Sequence, residues 1–246
     1  IIQSGSGASF VGKLDLVVES GKIRSYRHEL IPLYAEQFEE DPEIKSLIEE
    51  LVRPYSETLS EPIGYLKTTL HRMTLNEAPM DRLITDAYLS YTDADAAFSH
   101  GWRYGSPVLP GTLTMNDLYN IIPTNPELFT LDVDGKTLLT ALEHNLEQVF
   151  AADAYQQKGG YILRSSNIML TYKPYNPTGH RIQHIEVKGE PLRMDHTYRV
   201  AGGGEQIFKN LKDRKWLRVR AHDVLREYIA RSKEVSVETQ ASIIPI

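Results

Sequence analysis

Four side chains that could bind a ligand lie together in one short loop. They are an imidazole, an indole, a guanidinium and a phenol, carried by His100, Trp102, Arg103 and Tyr104. A glycine follows the first and the last of them, so the backbone can bend tightly around the group. A guanidinium holds an oxyanion through two parallel N–H donors. The loop therefore predicts a site for an anionic, planar or polar ligand, with a purely structural role for Trp102 and Arg103 as the alternative.

Glycine-rich stretches mark two further candidate sites. Gly159 and Gly160 follow a polar run, and paired glycines either let a ligand approach the backbone or simply shape a bend. Gly203 lies in a run of glycines, 202–204, that follows a predicted strand. Such a run is typical of phosphate cradles, but the sequence has neither the Gly-x-Gly-x-x-Gly spacing nor a following Lys-Ser/Thr. The sequence therefore gives little support to a phosphate-binding loop there.

No familiar set of catalytic residues stands out in the sequence. The eight histidines are scattered, and the closest two, His180 and His184, open a predicted strand with no carboxylate pair nearby. A catalytic metal site needs His and carboxylate ligands that converge. There is no cysteine and no Gly-x-Ser-x-Gly nucleophile motif. We therefore predict neither catalytic residues nor a metal site in this chain.

Charge and hydropathy limit the classes of protein. The 246 residues include 27 basic and 33 acidic side chains, which gives a net charge of −6. Because no basic run concentrates positive charge, a dedicated binder of nucleic acid or of anionic membranes is excluded, and an anion must be bound locally. No uninterrupted apolar stretch of about 18 residues is present, and Ile1 does not open a signal peptide. The lack of cysteine leaves the compartment open.

A strand pair and a helix are predicted before residue 62. Apolar and polar positions alternate loosely over 10–18, Ser20-Gly21 predicts a turn, and a second strand follows over 23–33. Two strands are not stable alone in water, so they must pack on something else. Asp41 can cap a helix that begins at Pro42, where apolar residues recur at spacings of three and four. One face of that helix is predicted to be buried.

Helices and strands alternate from Pro62 onward. A helix is predicted to begin at Pro79, and another after a capping box at Thr114. The polar side chains predicted to point away from the apolar face of the first are Asp81, Arg82 and Asp86. Strands over 161–164 and 168–172 are predicted to pair with each other. The predicted fold class is α+β, a mixed sheet with flanking helices, preceded by a strand pair and a linker helix.

Several segments occur in an order that can be compared with known families. They are Glu77 to Ala87, Ala97 to Gly105, Thr112 to Pro123, Leu131 to Glu143, Gly159-Gly160, Thr171-Tyr172 and Tyr198 to Ala201. Together they resemble the C-terminal domain of the 5'-nucleotidase family of metallophosphoesterases. The segments Phe98 to Gly105, Tyr155 to Gln157 and Val200 to Gly202 are most similar to the family's sulfur-oxidising branch, whose periplasmic sulfohydrolase releases sulfate from a thiosulfonated carrier protein. The resemblance covers nearly the whole chain.

The resemblance implies that the chain consists of three parts. Residues 1–34 are similar to the closing strands of an N-terminal metallophosphoesterase domain that is otherwise missing, and 35–61 to the linker helix between the two domains. Residues 62–246 are similar to the C-terminal substrate-binding domain. The implied function is therefore substrate binding in a two-domain, two-metal hydrolase.

The resemblance also implies roles for individual residues. Arg103 matches the arginine that grips the substrate, and Asn125 matches a polar substrate contact. The other predicted substrate-binding residues are His100, Trp102, Tyr104, Gly159, Gly160 and Gly203. The family's two divalent ions are held by Asp, His and Asn ligands whose motifs do not occur here, so Mn or Zn ions are expected only in the missing N-terminal domain, and the chain alone is expected to be inactive.

The identity of the substrate and the role of the chain in catalysis stay open. The aromatic residue that the family places beside Pro123 is Thr124 here, and Gly202 to Gln206 replaces its Gly-Asp-Gly-Tyr stretch. A nucleotide, a sugar nucleotide and a sulfur compound therefore remain alternatives. The expected partners are a small anionic substrate and the N-terminal domain, without nucleic acid or membrane, and the resemblance implies a periplasmic or secreted location. The alternative function is a stand-alone anion-binding or nucleotide-binding module without catalysis.

Overall fold

The computed structural model divides the chain into two compact units, Ile1–Glu57 and Thr58–Ile246. The residues it describes are 2, 4, 10–72, 74, 76–101, 106–158, 162–205, 208–232 and 234–246. In this part of the chain, no helix is both long enough and apolar enough to cross a membrane.

The first unit contains an antiparallel hairpin, as the sequence predicts. Strand β1 (Phe10–Glu19) pairs with strand β2 (Lys22–Pro32) along its whole length. Ser20 and Gly21 connect the strands, with φ angles of 51° and 74°. Positive φ at both central residues is the condition for a two-residue turn that matches the twist of the flanking strands.

Helix α1 (Pro42–Val52) begins where the sequence predicts. The Asp41 carboxylate accepts hydrogen bonds from the N–H groups of Glu43 (2.9 Å) and Ile44 (3.1 Å), two donors that a helix start leaves without partners. The prediction that one face is buried is wrong, because no residue of α1 is buried. Four of its apolar side chains are half or more exposed: Ile44 (54%), Leu47 (50%), Ile48 (54%) and Leu51 (63%). The spacing is that of a buried face, but the stripe is uncovered.

A short helix, α2 (Ser56–Ser60), lies at the boundary of the units, and helices and strands then alternate. In chain order they are β3 (Pro62–Leu66), α3 (Pro79–Thr92), β4 (Ala96–Ser99), β5 (Gly111–Thr114), α4 (Met115–Ile121), β6 (Glu127–Asp134), α5 (Gly135–Phe150), β7 (Arg164–Ser166), β8 (Ile168–Tyr172), β9 (Ile182–Val187), β10 (Glu190–Pro191), β11 (Thr197–Gly203), β12 (Lys215–Arg220), α6 (Ala221–Ser232), β13 (Glu234–Val235) and β14 (Ile243–Pro245).

The strands of the second unit form three sheets. Their orders are β12-β6-β11-β4-β7, β10-β9-β8-β14 and β13-β3-β5. In the five-stranded sheet β11 runs parallel to β4 and antiparallel to β6, so the sheet is mixed. The predicted α+β class, with a mixed sheet and flanking helices, is confirmed.

The core lies on both faces of the five-stranded sheet. Along β4, Ala97 packs into an apolar cluster with α3 and α6, whereas Ala96 and Phe98 pack into a second cluster with α5. Successive side chains of a strand point to opposite faces, so one buried strand serves both clusters. Because every residue of β4 is buried, the strand fixes the start of the loop that follows it.

One predicted strand pair is wrong. The sequence predicts that strands over 161–164 and 168–172 pair with each other, but β7 pairs with β4, and β8 pairs with β9. Asn167 lies between them with a φ of 66°, a left-handed conformation that Asn tolerates better than most residues. This single residue lets the chain pass from one sheet to another where the sequence suggests a hairpin.

Candidate substrate-binding site

A cavity of about 240 Å³ opens where two parallel strands end. The carboxyl ends of β4 and β11 meet at one edge of the sheet, which is where ligands bind in many open sheets. The wall consists of Arg72, Tyr88, Phe98 to His100, Ile121 to Thr124, Pro126 and Gly203 to Glu205. Two of the predicted site residues, His100 and Gly203, therefore come together here.

Arg72 is the buried cation of this cavity. Its side chain is 5% exposed, and its Nε donates to Asp81 Oδ1 over 3.1 Å. The Ser99 hydroxyl donates to the same oxygen over 3.0 Å. The buried Nη1 of Arg72 has no hydrogen-bond partner among the described residues. Leaving a buried donor unsatisfied costs about 1–3 kcal/mol, so an anion in the cavity would be stabilised by this group.

Asp81 lies in the interior, and the prediction that it points away from the buried face is wrong. It is fully buried, and the Nε of Arg164 lies 3.7 Å from its Oδ2. Arg82 is also mostly buried and pairs with Asp86 over 2.9 Å. The reason is that the buried surface of α3 is wider than its apolar stripe. Thr85 is buried as well. A carboxylate in such a place needs a cation, which explains the pairing with arginine.

Tyr88 and Gly203 approach each other closely in the cavity wall. A Cβ atom added to Gly203 would lie 2.6 Å from Tyr88 Oη and 3.0 Å from Pro126 Cγ. A side chain at this position would require the wall to shift, since the distance to Tyr88 Oη is too short for a real methyl group and the distance to Pro126 Cγ is tight. Burial raises the pKa of the Tyr88 hydroxyl above its ordinary value of 10.0, with the charge of Arg72 acting in the opposite direction. The phenol accordingly stays protonated and neutral at physiological pH.

His100 and Gly101 directly follow β4. His100 is partly buried and lines the cavity. Gly101 has a φ of 64°, and an added Cβ would lie 2.9 Å from the Nε of Arg164. The tight bend predicted for this glycine is present, and it leaves room for the buried Arg164 side chain.

Five predicted site residues lie outside the described residues. They are Trp102, Arg103, Tyr104, Gly159 and Gly160. Their roles, and those of His100 and Gly203 as substrate contacts, stay predictions.

Asn125 stabilises the segment next to the cavity through two hydrogen bonds. Its Oδ1 accepts a hydrogen bond from the His222 N–H (2.9 Å), and its carbonyl oxygen accepts one from Arg220 Nη1 (3.0 Å). Its φ is 40°. Asn125 thereby ties the wall segment 121–126 to the start of α6, while its predicted contact with a substrate stays a prediction.

His222 supports the same wall segment from behind. It is buried, its Nε2 lies 2.9 Å from the Ile122 carbonyl oxygen, and its ring meets that of Tyr119 edge to face. Because the carbonyl can only accept, Nε2 is the protonated nitrogen. Burial lowers the pKa of His222 from its ordinary 6.5. The imidazole is thus held neutral.

Sequence reasoning missed Arg72, Asp81 and Tyr88 as residues of one site. Arg72 lies in an irregular stretch between β3 and α3, where no periodic pattern indicates burial. The pattern around Tyr88 predicts only an apolar helix face. No local signal was available, because the burial of Asp81 depends on the enclosure of α3 from several sides by elements distant in sequence.

The described residues do not fit a two-metal centre. Among them, no group of three or more His, Cys, Asp or Glu side chains could hold a metal ion. We therefore assign no metal-dependent step to these residues.

The chain belongs to the family of 5'-nucleotidase C-terminal domains, whose model matches residues 58–203. The matched range contains Arg72, His100 and Gly203. Among curated proteins, the 5'-nucleotidase of Bos taurus is 28% identical over 207 residues, which cover 72% of this chain and 35% of that protein. The trifunctional nucleotide phosphoesterase protein YfkN of Bacillus subtilis is 24% identical over 216 residues, covering 82% of this chain and 14% of that protein.

Solved structures share the fold. The sulfate thiohydrolase SoxB of Thermus thermophilus, in complex with glycerol, superposes with a TM-score of 0.87 at 24% identity, covering 97% of this chain and 45% of that one. A 5'-nucleotidase precursor, also from Thermus thermophilus, superposes with a TM-score of 0.83 at 23% identity. The match covers 97% of this chain and 50% of that one. This chain therefore spans half or less of the length of each of these proteins.

Proposed function

We propose that this chain is the substrate-binding part of a two-domain, two-metal hydrolase that acts on a phosphate ester, such as a nucleotide, or on a sulfur oxyanion. The observation that carries the proposal is Arg72, a buried guanidinium in the cavity wall whose Nη1 lacks a hydrogen-bond partner among the described residues. Guanidinium groups bind tetrahedral oxyanions through charge-assisted hydrogen bonds. The names of the relatives, nucleotidases and a sulfate thiohydrolase, support the same substrate classes.

In this proposal, different residues of the cavity wall bind different parts of the substrate. Arg72 donates to the oxyanion, and the neutral Tyr88 hydroxyl is a second donor nearby. The rings of Pro123 and Pro126 offer an apolar surface to the uncharged part of the substrate. Pockets that enclose a drug-sized ligand measure roughly 300–1,000 Å³. The cavity, at about 240 Å³, would therefore hold only part of a nucleotide. We propose Arg103 as a second guanidinium for the same anion, on the resemblance described above.

We place the two metal ions in a separate N-terminal domain. The lack of a ligand cluster among the described residues supports this placement. So do the exposed apolar side chains of the first unit, among them Val17 and Tyr26 of the hairpin and Leu51 of α1. Apolar faces of this kind normally pack against protein. The N-terminal metallophosphoesterase domain is the proposed cover.

A stand-alone binding module without catalysis is the second candidate, and the same lack of a metal cluster in the described residues favours it. Both candidates predict that the purified chain has no activity of its own, so turnover tests whether the metals lie outside it. We expect no hydrolysis of AMP or bis(4-nitrophenyl) phosphate in the presence of Mn²⁺. Robust activity that copurifies with the chain would overturn the placement of the metals in another domain.

We propose a periplasmic or secreted location for the protein. The relatives include a snake venom 5'-nucleotidase from Naja atra, and the structural neighbours include a 5'-nucleotidase described as a precursor. Both descriptions support a location outside the cytoplasm.

Calorimetric titration tests the proposed anion site. The purified chain is titrated with AMP, phosphate and thiosulfate, and the same titrations are made on Arg72→Lys, which keeps the charge and loses the planar fork. We expect roughly tenfold weaker binding of the preferred anion, a loss of about 1.4 kcal/mol. Arg199→Lys, at an exposed arginine paired with Asp132, is the matched control and should bind normally. Equal affinity of Arg72→Lys and the original chain, with unchanged circular dichroism, would overturn the proposal.

A further inference from the structure

A second and larger concavity runs along the solvent face of α5. Its volume is about 860 Å³. The helix residues that line it recur at spacings of three and four, and so share one face of α5. They are Thr137, Thr140, Ala141, His144, Asn145 and Gln148. Leu163 and Phe208 to Leu211 complete the wall together with His100, which also lines the smaller cavity.

This groove carries only positive charge along its described wall. Lys136, Lys158 and Lys209 line it and are exposed, and no Asp or Glu of the described residues lines it. None of the three lysines forms a salt bridge with a described carboxylate, whereas Lys67 and Lys188 elsewhere do. Since the chain as a whole has a net charge of −6, the groove is a local positive surface on an acidic protein.

The cations lie at both ends of the groove. Lys136 is at the start of α5, while the backbone N–H of Lys158 donates to the Gln148 carbonyl (3.1 Å), which brings the chain back beside the helix end. Residues 136 and 148 are twelve positions apart, so the distance along the helix is about 18 Å at 1.5 Å per residue. One phosphate group cannot contact both ends. An extended peptide, at about 3.3 Å per residue, covers this length with roughly six residues.

The wall between the cations suits a peptide. The N–H of Leu163 donates to Asn145 Oδ1 over 2.9 Å, which fixes one side of the groove against α5. The partly exposed Leu211 offers apolar surface, with the buried Leu163 and Phe208 beside it in the wall, and the hydroxyls of Thr137 and Thr140 offer hydrogen-bonding groups. Exposed lysines favour fast, salt-dependent association with a partner of opposite charge.

We infer that this groove binds an extended acidic segment of a partner polypeptide, beside the cavity that we propose for the substrate. Carboxylates of the segment pair with Lys136 and Lys158, and an apolar side chain packs between them. The inference concerns a surface separate from Arg72 and does not depend on the proposed anion site.

Fluorescence anisotropy with a fluorescein-labelled Glu-Ser-Leu repeat peptide tests the inference on the whole chain. We expect saturable binding at low salt that weakens as NaCl is added. The double variant Lys136→Glu/Lys158→Glu should lose roughly tenfold or more in affinity. Lys173→Glu/Lys212→Glu, which alters two exposed lysines outside the groove by the same charge, should bind as the original chain does.

The remaining measurements separate this inference from the proposed function. Arg72→Lys should leave peptide binding unchanged, and the groove variant should leave AMP binding unchanged. No saturable peptide binding at low salt, or equal loss in the control variant, would overturn the inference. Displacement of the peptide by stoichiometric AMP would also overturn it, because the groove would then bind the small anion.

Discussion

The Nε of Arg72 lies 3.1 Å from Oδ1 of Asp81, and the two side chains are only 5% and 0% exposed. The pair fixes a guanidinium in the wall of the cavity and occupies one of its donors, while Nη1 has no partner among the described residues. A fold that buries an arginine in this way has fixed its orientation before any ligand arrives, which lowers the cost of binding.

Replacing Asp81 should destabilise the fold strongly. Asp81→Asn leaves the Arg72 guanidinium buried without its carboxylate, and breaking a buried pair in this way costs about 3–5 kcal/mol. Urea unfolding followed by circular dichroism measures the loss. Asp132→Asn, which removes one partner of an exposed pair with Arg199, should leave the unfolding midpoint unchanged. Similar midpoints for the two variants would contradict the burial described here.

Adding a methyl group at Gly203 should impair anion binding. In Gly203→Ala the new Cβ would lie 2.6 Å from Tyr88 Oη, so the cavity wall must shift. We expect several-fold weaker binding of the preferred anion by calorimetry, because the displaced wall includes the Tyr88 hydroxyl that we propose as a donor. Undiminished affinity of the variant would show that this wall does not contact the ligand.

The stability of the protein should fall in mild acid because of His222. Burial lowers the pKa of this imidazole from 6.5, so below that pH the unfolded chain binds the proton more readily than the folded one. The contribution of His222 is therefore complete above about pH 6.5 and decreases as the pH falls toward the lowered pKa.

Unfolding titrations between about pH 7.5 and pH 5 test this prediction. His222→Gln retains a donor for the Ile122 carbonyl and does not titrate, so its free energy of unfolding should fall less over this range than that of the original chain. An equal or larger fall in the variant would rule out His222 as the source.

Arg103 should contribute to the same anion site, as the family resemblance implies. Arg103→Ala is expected to weaken anion binding, because a guanidinium that contacts an oxyanion contributes a charge-assisted hydrogen bond of about 1.5–3 kcal/mol. Arg193→Ala, at an exposed position away from the cavity wall, provides the control. Unchanged affinity in full-length protein would remove Arg103 from the site.

Local sequence signals predicted much of the fold. The cap at Asp41, the capping box at Thr114 and the turn at Ser20-Gly21 each rest on neighbouring residues, and each is present. The prediction that β7 pairs with β8 is wrong, because the chain passes at Asn167 from one sheet to another. The sheet that each strand joins depends on partners distant in sequence.

The candidate site was only partly predictable for the same reason. His100 directly follows β4 and Gly203 ends β11, two strands that a sequence can locate, and the residues meet because these strands are parallel neighbours. Arg72 and Asp81 become a buried pair only when α3 is enclosed from several sides, which no local pattern reports.

The most direct test of the account is a crystal structure of the chain grown with tungstate, a tetrahedral oxyanion that anomalous scattering locates without ambiguity. We predict an anion in the cavity within hydrogen-bond distance of Arg72 Nη1, in contact with the wall formed by His100 and Gly203. A structure in which Arg72 Nη1 donates to a protein acceptor, with tungstate bound only elsewhere, would contradict the central claim.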